Sequence, residues 1–197
     1  MKRLATAILM AATALAATTT HAAETVLDFD KGIGSSLPFR VNNNGTTADP
    51  TDDFPEPNNL FAGVAGAPVV NAGGQVWVIK SLKATVKSDG KLVARGKGLL
   101  LGGGANIGSR GGARQVYASL FVRNTTTPVT FSGPYNTEAF DLDVNGDFTI
   151  NGVLKDANGA VPTDFGDSTS NRPILLIRNA ANNNWFAAGI VKNVPAP

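Results

Sequence analysis

The fold of this protein is decided by residues 76–101, VWVIKSLKATVKSDGKLVARGKGLLL, in which β-branched and apolar side chains surround a short polar turn signal. Between positions 82 and 87, leucine, alanine and valine alternate with lysine, threonine and lysine, which is typical of a strand with one buried and one solvated face. Ser88, Asp89 and Gly90 follow, and an Asp-Gly pair favours a tight hairpin turn because it tolerates positive φ. We therefore expect one strand at residues 76–87 and its partner at residues 91–101.

The chain beyond this hairpin also predicts short strands separated by turns. Residues 102–112 are glycine-rich and predict a loop. In residues 115–123 both alternating sets contain apolar side chains, which predicts a central strand covered on both faces. The remaining strand candidates are residues 129–132, 139–144, 147–154, 174–178 and 185–192.

The mature N-terminal part is less regular. Residues 42–74 contain many asparagines, glycines and prolines and predict a mostly irregular segment that packs along the body, after a short opening strand at residues 25–29. Apart from the first 22 residues, no window keeps the spacing of an amphipathic helix. The patterns together predict an all-β domain, an antiparallel β-sandwich or jelly-roll-like barrel of roughly eight to ten strands. Residues 23–75 should be mostly irregular and residues 76–192 strand-rich.

The first 22 residues have the composition of a secretory signal peptide. They begin with Lys2 and Arg3, continue through an alanine-rich apolar run and end in small residues. This predicts a secreted or periplasmic protein with a single β domain at residues 23–197. The apolar run is too short to span a bilayer, and no later segment approaches about 20 apolar residues, so we expect no membrane span.

Removal of this leader changes both the charge and the available chemistry. The chain has 17 basic and 15 acidic residues; Lys2 and Arg3 leave with the leader, so 15 of each kind remain and the net charge is near zero. This balance argues against a nucleic-acid partner. His21 is the single histidine and is also removed, and there is no cysteine. The mature domain therefore has no imidazole or thiol for a catalytic triad, a cysteine nucleophile or a zinc site.

Carboxylates are the acid and base groups that remain. A hydrolase on a β fold needs two of them facing one groove, and Glu24, Glu56 and Glu138 show no spacing that pairs them. We therefore predict no catalytic residue and no enzymatic activity. A carboxylate-dependent hydrolase is kept as an alternative.

Aromatic side chains offer a route to sugar binding. Carbohydrate-binding modules stack sugar rings on exposed aromatic rings, and the candidates here are Trp77, Trp185, Tyr117 and Tyr135. Trp77 is flanked by valines and Trp185 lies in an apolar strand, so we expect both in the core. A carbohydrate-binding module is a second alternative.

Residues 141–147 are similar to the first half of a calcium-binding loop. The oxygen-bearing residues are Asp141, Asp143, Asn145 and Asp147, with a glycine before the last of them. Ca²⁺ prefers oxygen ligands, and glycine permits the sharp turn that brings them together. The closing position holds glycine where glutamate is expected, and the flanking residues also fit a hairpin turn. The sequence thus leaves two alternatives, a calcium site of modest affinity and a plain turn, and it predicts no other cofactor.

The C-terminal hairpin carries a resemblance. PILLIR at residues 173–178, a short asparagine-rich turn and WFAAGI at residues 185–190 are similar to a pattern found in small secreted bacterial β proteins without an assigned activity. GKGLLLGGG at residues 96–104 resembles their middle region. The resemblance implies export and a β fold and implies no activity.

The leading functional hypothesis is an exported, non-catalytic β-sandwich protein with a surface-recognition or structural envelope role. Its expected partner is a glycan or another cell-surface component. The lysines of the first hairpin, at positions 80, 83, 87, 91 and 97, place charge along its strands and discourage pairing with another chain. We therefore expect a monomer.

Overall fold

The computed structural model describes residues 22–35, 39–42, 54–57, 60–61, 67–124, 128–167 and 171–192. Over these ranges the chain forms strands and turns and no helix, so no helix there could cross a membrane. The strands are β1 (Thr25–Gly34), β2 (Phe39–Asn42), β3 (Phe54–Pro57), β4 (Trp77–Val78), β5 (Ser81–Lys87), β6 (Lys91–Lys97), β7 (Leu100–Leu101), β8 (Gln115–Asn124), β9 (Thr130–Asn136), β10 (Phe140–Asp141), β11 (Phe148–Val153), β12 (Asn171–Asn179) and β13 (Trp185–Val191). The all-β prediction is confirmed.

Nine of these strands form one antiparallel sheet. Its order is β10-β8-β12-β13-β1-β5-β6-β11, and β9 pairs with β8 on the same side as β10. Asn136 at the end of β9 and Lys155 just beyond β11 form an antiparallel bridge with N···O distances of 2.8 and 3.0 Å. This bridge ties the two ends of the sheet together. The sheet is therefore strongly curled, in agreement with the barrel-like form of the predicted fold.

The interior of the curled sheet holds the main hydrophobic core. Alternation directs Leu82 and Val86 of β5 inward, and the antiparallel register places Leu92 of β6 directly opposite Val86. All three side chains are completely buried. Burying one aliphatic side chain of this kind contributes about 1.5–3 kcal/mol, so this core is the main source of stability in a chain without cysteine.

A second, smaller core covers the other face of β8 and β12. Phe61 and Val70 pack there with Phe121 and Leu176, and Trp185 of β13 completes the cluster. Because β8 has a core on each side, every residue from 116 to 122 is buried. The prediction of a doubly covered central strand is confirmed. Of the N-terminal segment predicted to pack along the body, the described residues Phe61 and Val70 do so, whereas Val69 is exposed.

Two predicted hairpins form as expected. β5 and β6 pair across the turn at residues 88–90, where Gly90 has φ of 80° and its N–H donates to the Lys87 carbonyl at 2.9 Å. β12 and β13 pair across the asparagine-rich turn at residues 180–184.

The two strands predicted at residues 76–87 and 91–101 are each broken in the structure. Their outer ends become β4 and β7, which pair with each other in a separate two-stranded sheet. The second break occurs at Gly98, which has φ of 63°. Leu99 then buries its side chain completely, and its N–H donates to the carbonyl of Gly146 at 2.8 Å. This contact with a turn distant in sequence ends β6.

Other differences come from pairing that no local pattern encodes. β1 continues past the predicted end at residue 29 because β13 pairs with its second half. β10 is shorter than the predicted strand at residues 139–144, since a turn starts after it. In the segment predicted to be mostly irregular, β2 and β3 pair. The lysine-bearing hairpin is not at an edge, because β5 pairs with β1 and β6 with β11.

The proposed leader lies outside the described residues except for Ala22.

Candidate functional site

A broad groove lies on the outer face of β1, β5 and β6. The alternation that buries Leu27 and Phe29 turns Asp28 and Asp30 outward, and it brings basic side chains of β5 and β6 to the same face. The groove has a volume of about 620 Å³. We call it the charged groove, after its charged lining of Asp28, Asp30, Lys83, Arg95, Lys97 and Lys192.

The two carboxylates of the charged groove are already engaged. Oδ1 of Asp28 accepts a hydrogen bond from Oγ1 of Thr85 at 2.6 Å. Nζ of Lys83 lies 3.7 Å from Oδ1 of Asp30. The antiparallel register sets up both contacts, because it places each aspartate of β1 opposite its partner on β5.

Three cations of the charged groove have no such partner. Within the described ranges, the side chains of Arg95, Lys97 and Lys192 make no hydrogen bond or ion pair. Four cations and two carboxylates give the lining a net charge of +2. Unpaired positive charge in a concave surface attracts anions. Alternation along the sequence predicted that Arg95 and Lys97 point outward. Their proximity to Lys192 depends on the pairing of β1 with β13, which the sequence did not reveal.

A smaller depression of about 320 Å³ adjoins the charged groove through Arg95 and Lys97. It is also lined by Asp141, Asp143 and Asp147. The structure therefore brings three of the four predicted calcium ligands to one depression. The fourth, Asn145, is exposed in the turn and does not line it.

The oxygens of these aspartates accept hydrogen bonds from the protein itself. Oδ1 of Asp143 accepts from the backbone N–H groups of Asn145 and Asp147, both at 2.8 Å. Oδ1 of Asp147 accepts from the N–H of Gly98 at 2.9 Å, and Oδ1 of Asp141 accepts from a glutamine side chain at 3.2 Å. In the part of the chain that the structure describes, no group of three or more acidic, histidine or cysteine side chains is arranged to hold a metal ion. Calcium binding stays a prediction.

A second turn in the protein repeats these contacts. Oδ1 of Asp156 accepts from the N–H groups of Asn158 and Ala160 at 2.9 and 2.8 Å. Both turns have the sequence Asp-x-Asn-Gly, and the glycine has φ of 77° at Gly146 and 84° at Gly159. The first aspartate of each turn caps its backbone. A turn does form at residues 144–146, but the predicted hairpin is wrong, because β10 pairs with β8 and β11 pairs with β6.

Among the glutamates considered as hydrolase residues, Glu24 and Glu138 do not line the charged groove. Glu24 precedes β1, and its carbonyl accepts a hydrogen bond from the N–H of Ser88 at 2.8 Å. Glu138 is exposed between β9 and β10. The backbone of Glu56 belongs to β3, but its side chain lies outside the described residues.

The aromatic candidates are largely inside the protein. Trp77 and Trp185 are each 6% exposed, which confirms their predicted place in the core. Trp77 stacks on Phe186 with ring centroids 3.8 Å apart. Tyr117 is buried and donates a hydrogen bond to Oδ1 of Asn183 at 2.8 Å, while Tyr135 is half-buried. None of these four rings forms an open platform for stacking a sugar.

A buried arginine is a feature that the sequence did not reveal. Arg178 of β12 is 8% exposed, and its Nε donates to the carbonyl of Asn183 at 2.8 Å. Its guanidinium lies 5.5 Å from the centroid of the Tyr117 ring. Burial lowers the pKa of Arg178 and raises the pKa of Tyr117, although the neighbouring cation opposes the second shift. An arginine at the end of an apolar run is the one sequence signal for this contact.

The chain matches no family model, no curated protein and no solved structure. The chemistry of the surface is therefore the basis for inferring a function. The charged groove is the site with the clearest electrostatic character, because three of its cations lack partners within the described chain.

Proposed function

We propose that this protein is an exported, non-catalytic recognition protein whose charged groove binds acidic groups of a glycan or another cell-surface component. The unpaired cations Arg95, Lys97 and Lys192 carry this proposal. A planar guanidinium donates two parallel hydrogen bonds to a carboxylate or sulfate, and lysines add point charges beside it. Acidic groups repeated along a polymer would meet these cations in succession.

The carboxylates of the groove support a binding role over a catalytic one. Asp28 accepts a hydrogen bond from Thr85, and Asp30 faces Lys83. A catalytic pair needs one carboxyl group that holds a proton and one that is free to act as base or nucleophile. Both carboxylates of the groove are already engaged by neighbouring side chains, so neither is free for the second role. Turnover of a polysaccharide or an ester that is lost in Asp28→Asn would replace this proposal with the hydrolase alternative.

The expected affinity is modest and depends on salt. Each exposed ion pair contributes at most about 1 kcal/mol, so a single acidic group binds weakly and a polymer that engages several cations binds more tightly. Screening acts over about 10 Å at 0.1 M salt. Binding should therefore weaken strongly as salt rises.

Calorimetric titration with a soluble polyuronate, using neutral dextran as the comparison, tests the proposal at low salt. The double variant Arg95→Ala, Lys97→Ala should weaken polyuronate binding by about tenfold, as expected for the loss of two exposed ion pairs. Any heat from dextran should be the same in this double variant and in the natural chain, because a neutral polymer does not engage the two cations.

The matched control is the double variant Lys80→Ala, Lys155→Ala. Both lysines are exposed and do not line the charged groove, so the control removes the same charge elsewhere. It should change polyuronate affinity less than twofold. Equal losses in the two double variants would show a general charge effect, and no binding by the natural chain would reject the groove as an acid-binding site.

A further inference from the structure

A third depression, built from three loops, differs from the charged groove in its chemistry. It has a volume of about 450 Å³. We call it the end cleft and define it by six of its lining residues, Gln75, Trp77, Asn106, Asn179, Asn182 and Phe186. None of its lining residues carries a charge, and it shares no lining residue with the charged groove.

Backbone hydrogen bonds hold the three loops in place. The N–H of Gly73 donates to the carbonyl of Trp185 at 3.0 Å, which fixes the segment before β4. The N–H of Gly102 donates to the carbonyl of Val76 at 2.8 Å, which ties the glycine-rich loop to the same segment. The N–H of Ala180 donates to a carbonyl at the start of β8 at 3.1 Å, which anchors the asparagine-rich turn. The cleft is therefore formed before any ligand arrives.

The asparagines of the cleft have unused donors. Oδ1 of Asn179 accepts from the N–H of Ala181 at 3.2 Å, and Oδ1 of Asn182 accepts from the N–H of Asn184 at 3.1 Å. These contacts orient each amide through its oxygen and do not use its Nδ2 group. Within the described chain neither Nδ2 donates a hydrogen bond, although Asn179 is only 8% exposed. A donor in such a buried side chain needs an acceptor from water or from a ligand.

The floor of the cleft is the stacked pair of Trp77 and Phe186. Gly73 lies directly over the edge of this pair, because a Cβ at that position would be 2.6 Å from Nε1 of Trp77 and 2.9 Å from Cε1 of Phe186. Nε1 of Trp77 makes no hydrogen bond with the described residues. The floor thus combines apolar ring edges with one more free donor.

We propose that the end cleft binds a neutral, hydroxyl-rich ligand, namely an uncharged sugar unit. Sugar hydroxyls accept hydrogen bonds from amide and indole N–H groups. A charged ligand would find no counter-charge in the lining. A volume of this size lies within the range of about 300–1,000 Å³ for small-ligand sites. This binding does not depend on the charged groove.

Indole N–H signals in ¹H–¹⁵N spectra of the ¹⁵N-labelled protein test the proposal, because the chain has two tryptophans and only Trp77 lines the cleft. The probes are glucose, galactose, mannose and N-acetylglucosamine, each with its β-linked disaccharide. At least one probe should shift the Trp77 signal in a saturable way and leave the Trp185 signal in place. Glucuronate should not titrate the Trp77 signal more tightly than glucose does. If no probe shifts the Trp77 signal, the proposal is wrong.

The variants Asn179→Asp and Asn182→Asp keep the oxygen that accepts from the backbone and replace the Nδ2 donor. Each should weaken sugar binding by about three- to tenfold, as expected for the loss of one hydrogen bond. The matched control is Asn158→Asp, which makes the same change on an exposed turn outside the cleft. Full binding in both cleft variants, with folding unchanged, would overturn the assignment.

The groove variant Arg95→Ala, Lys97→Ala separates the two sites. It should bind the neutral sugar as the natural chain does. If it loses sugar binding while the Asn182→Asp variant keeps it, the sugar occupies the charged groove and the end cleft is not the site. Failure to bind polyuronate, with retained sugar binding, would reject the proposed groove function and leave the cleft proposal standing.

Discussion

Replacing Gly146 by alanine should destabilise the protein much more than the same change at Gly159, although the two local sequences look alike. Both glycines occupy the fourth position of an Asp-x-Asn-Gly turn and have φ of 77° and 84°. Their surroundings differ. A Cβ at position 146 would lie 2.5 Å from the carbonyl oxygen of Leu99 and 2.6 Å from its nitrogen, whereas a Cβ at position 159 would meet nothing within 4 Å.

The expected magnitudes follow from these two environments. Left-handed backbone costs a residue with a Cβ about 1 kcal/mol or somewhat more, and this cost applies at both positions. At Gly146 the backbone of Leu99 must also move by nearly 1 Å to restore an ordinary contact of 3.4 Å. Overpacking of this kind costs about 1–3 kcal/mol. We therefore expect a loss of about 1 kcal/mol in Gly159→Ala and about 3 kcal/mol in Gly146→Ala.

Urea unfolding followed by tryptophan fluorescence measures both free energies, and calorimetry gives the change in Tm. For a domain of this size, 1 kcal/mol corresponds to about 2–4 °C, so Gly146→Ala should lower Tm by about 6–12 °C. The N–H of Leu99 donates to the Gly146 carbonyl at 2.8 Å, and its amide should exchange faster in this variant. If the two variants differ by less than about 0.5 kcal/mol, the contact with Leu99 does not restrain the turn as described.

Four further predictions concern processing, ions, pH and assembly. Export should remove the leader, so mass spectrometry of the secreted protein should show Ala23 or Glu24 as the first residue, and an intact Met1 would contradict the leader. Asp143→Ala should lower the free energy of unfolding by about 1–2 kcal/mol, because two backbone N–H groups lose their acceptor. If calcium raises Tm in the natural chain and not in this variant, residues 141–147 bind the ion. Equal Tm values with and without calcium would show that these residues form only a turn. Burial raises the pKa of Tyr117, so the stability that the neutral phenol contributes is fully present below the unfolded pKa of about 10 and is lost as pH rises through the higher folded pKa. Unfolding free energies from about pH 8 to about pH 11 should therefore fall less in Tyr117→Phe than in the natural chain, and parallel curves would reject this role. Light scattering should report a monomer, and a stable dimer would contradict that expectation.

The elements that the sequence predicted well are those with strong local patterns. Alternation in residues 82–87, together with the Asp89-Gly90 pair, is sufficient to predict the β5–β6 hairpin, since side-chain periodicity and turn chemistry act over a few residues. The doubly apolar pattern of residues 115–123 likewise predicted a central strand, because a strand with a core on both faces cannot keep a polar side. The apolar surroundings of Trp77 and Trp185 were enough to place both rings inside.

The candidate sites were less accessible to sequence reasoning. Alternation turned Lys83 and Arg95 outward, but only strand register placed them beside each other and near Asp30. The glycine-rich loop and the asparagine-rich turn were predicted as simple connections. Their meeting with Trp77 in the end cleft depends on three elements far apart in sequence, and no local pattern reports which loops converge.

The sequence by itself determined the fold class, the main hairpins and the lack of imidazole and thiol chemistry beyond residue 22, because composition and short-range periodicity are sufficient for these. Only the tertiary structure decided where β6 ends, since that depends on the contact between Leu99 and Gly146. It also decided that two similar Asp-x-Asn-Gly turns have different surroundings, and that Arg178 is buried against Tyr117. In each case the deciding energy comes from atoms distant along the chain, and such contacts exist only after the sheet has curled and its strands are in register.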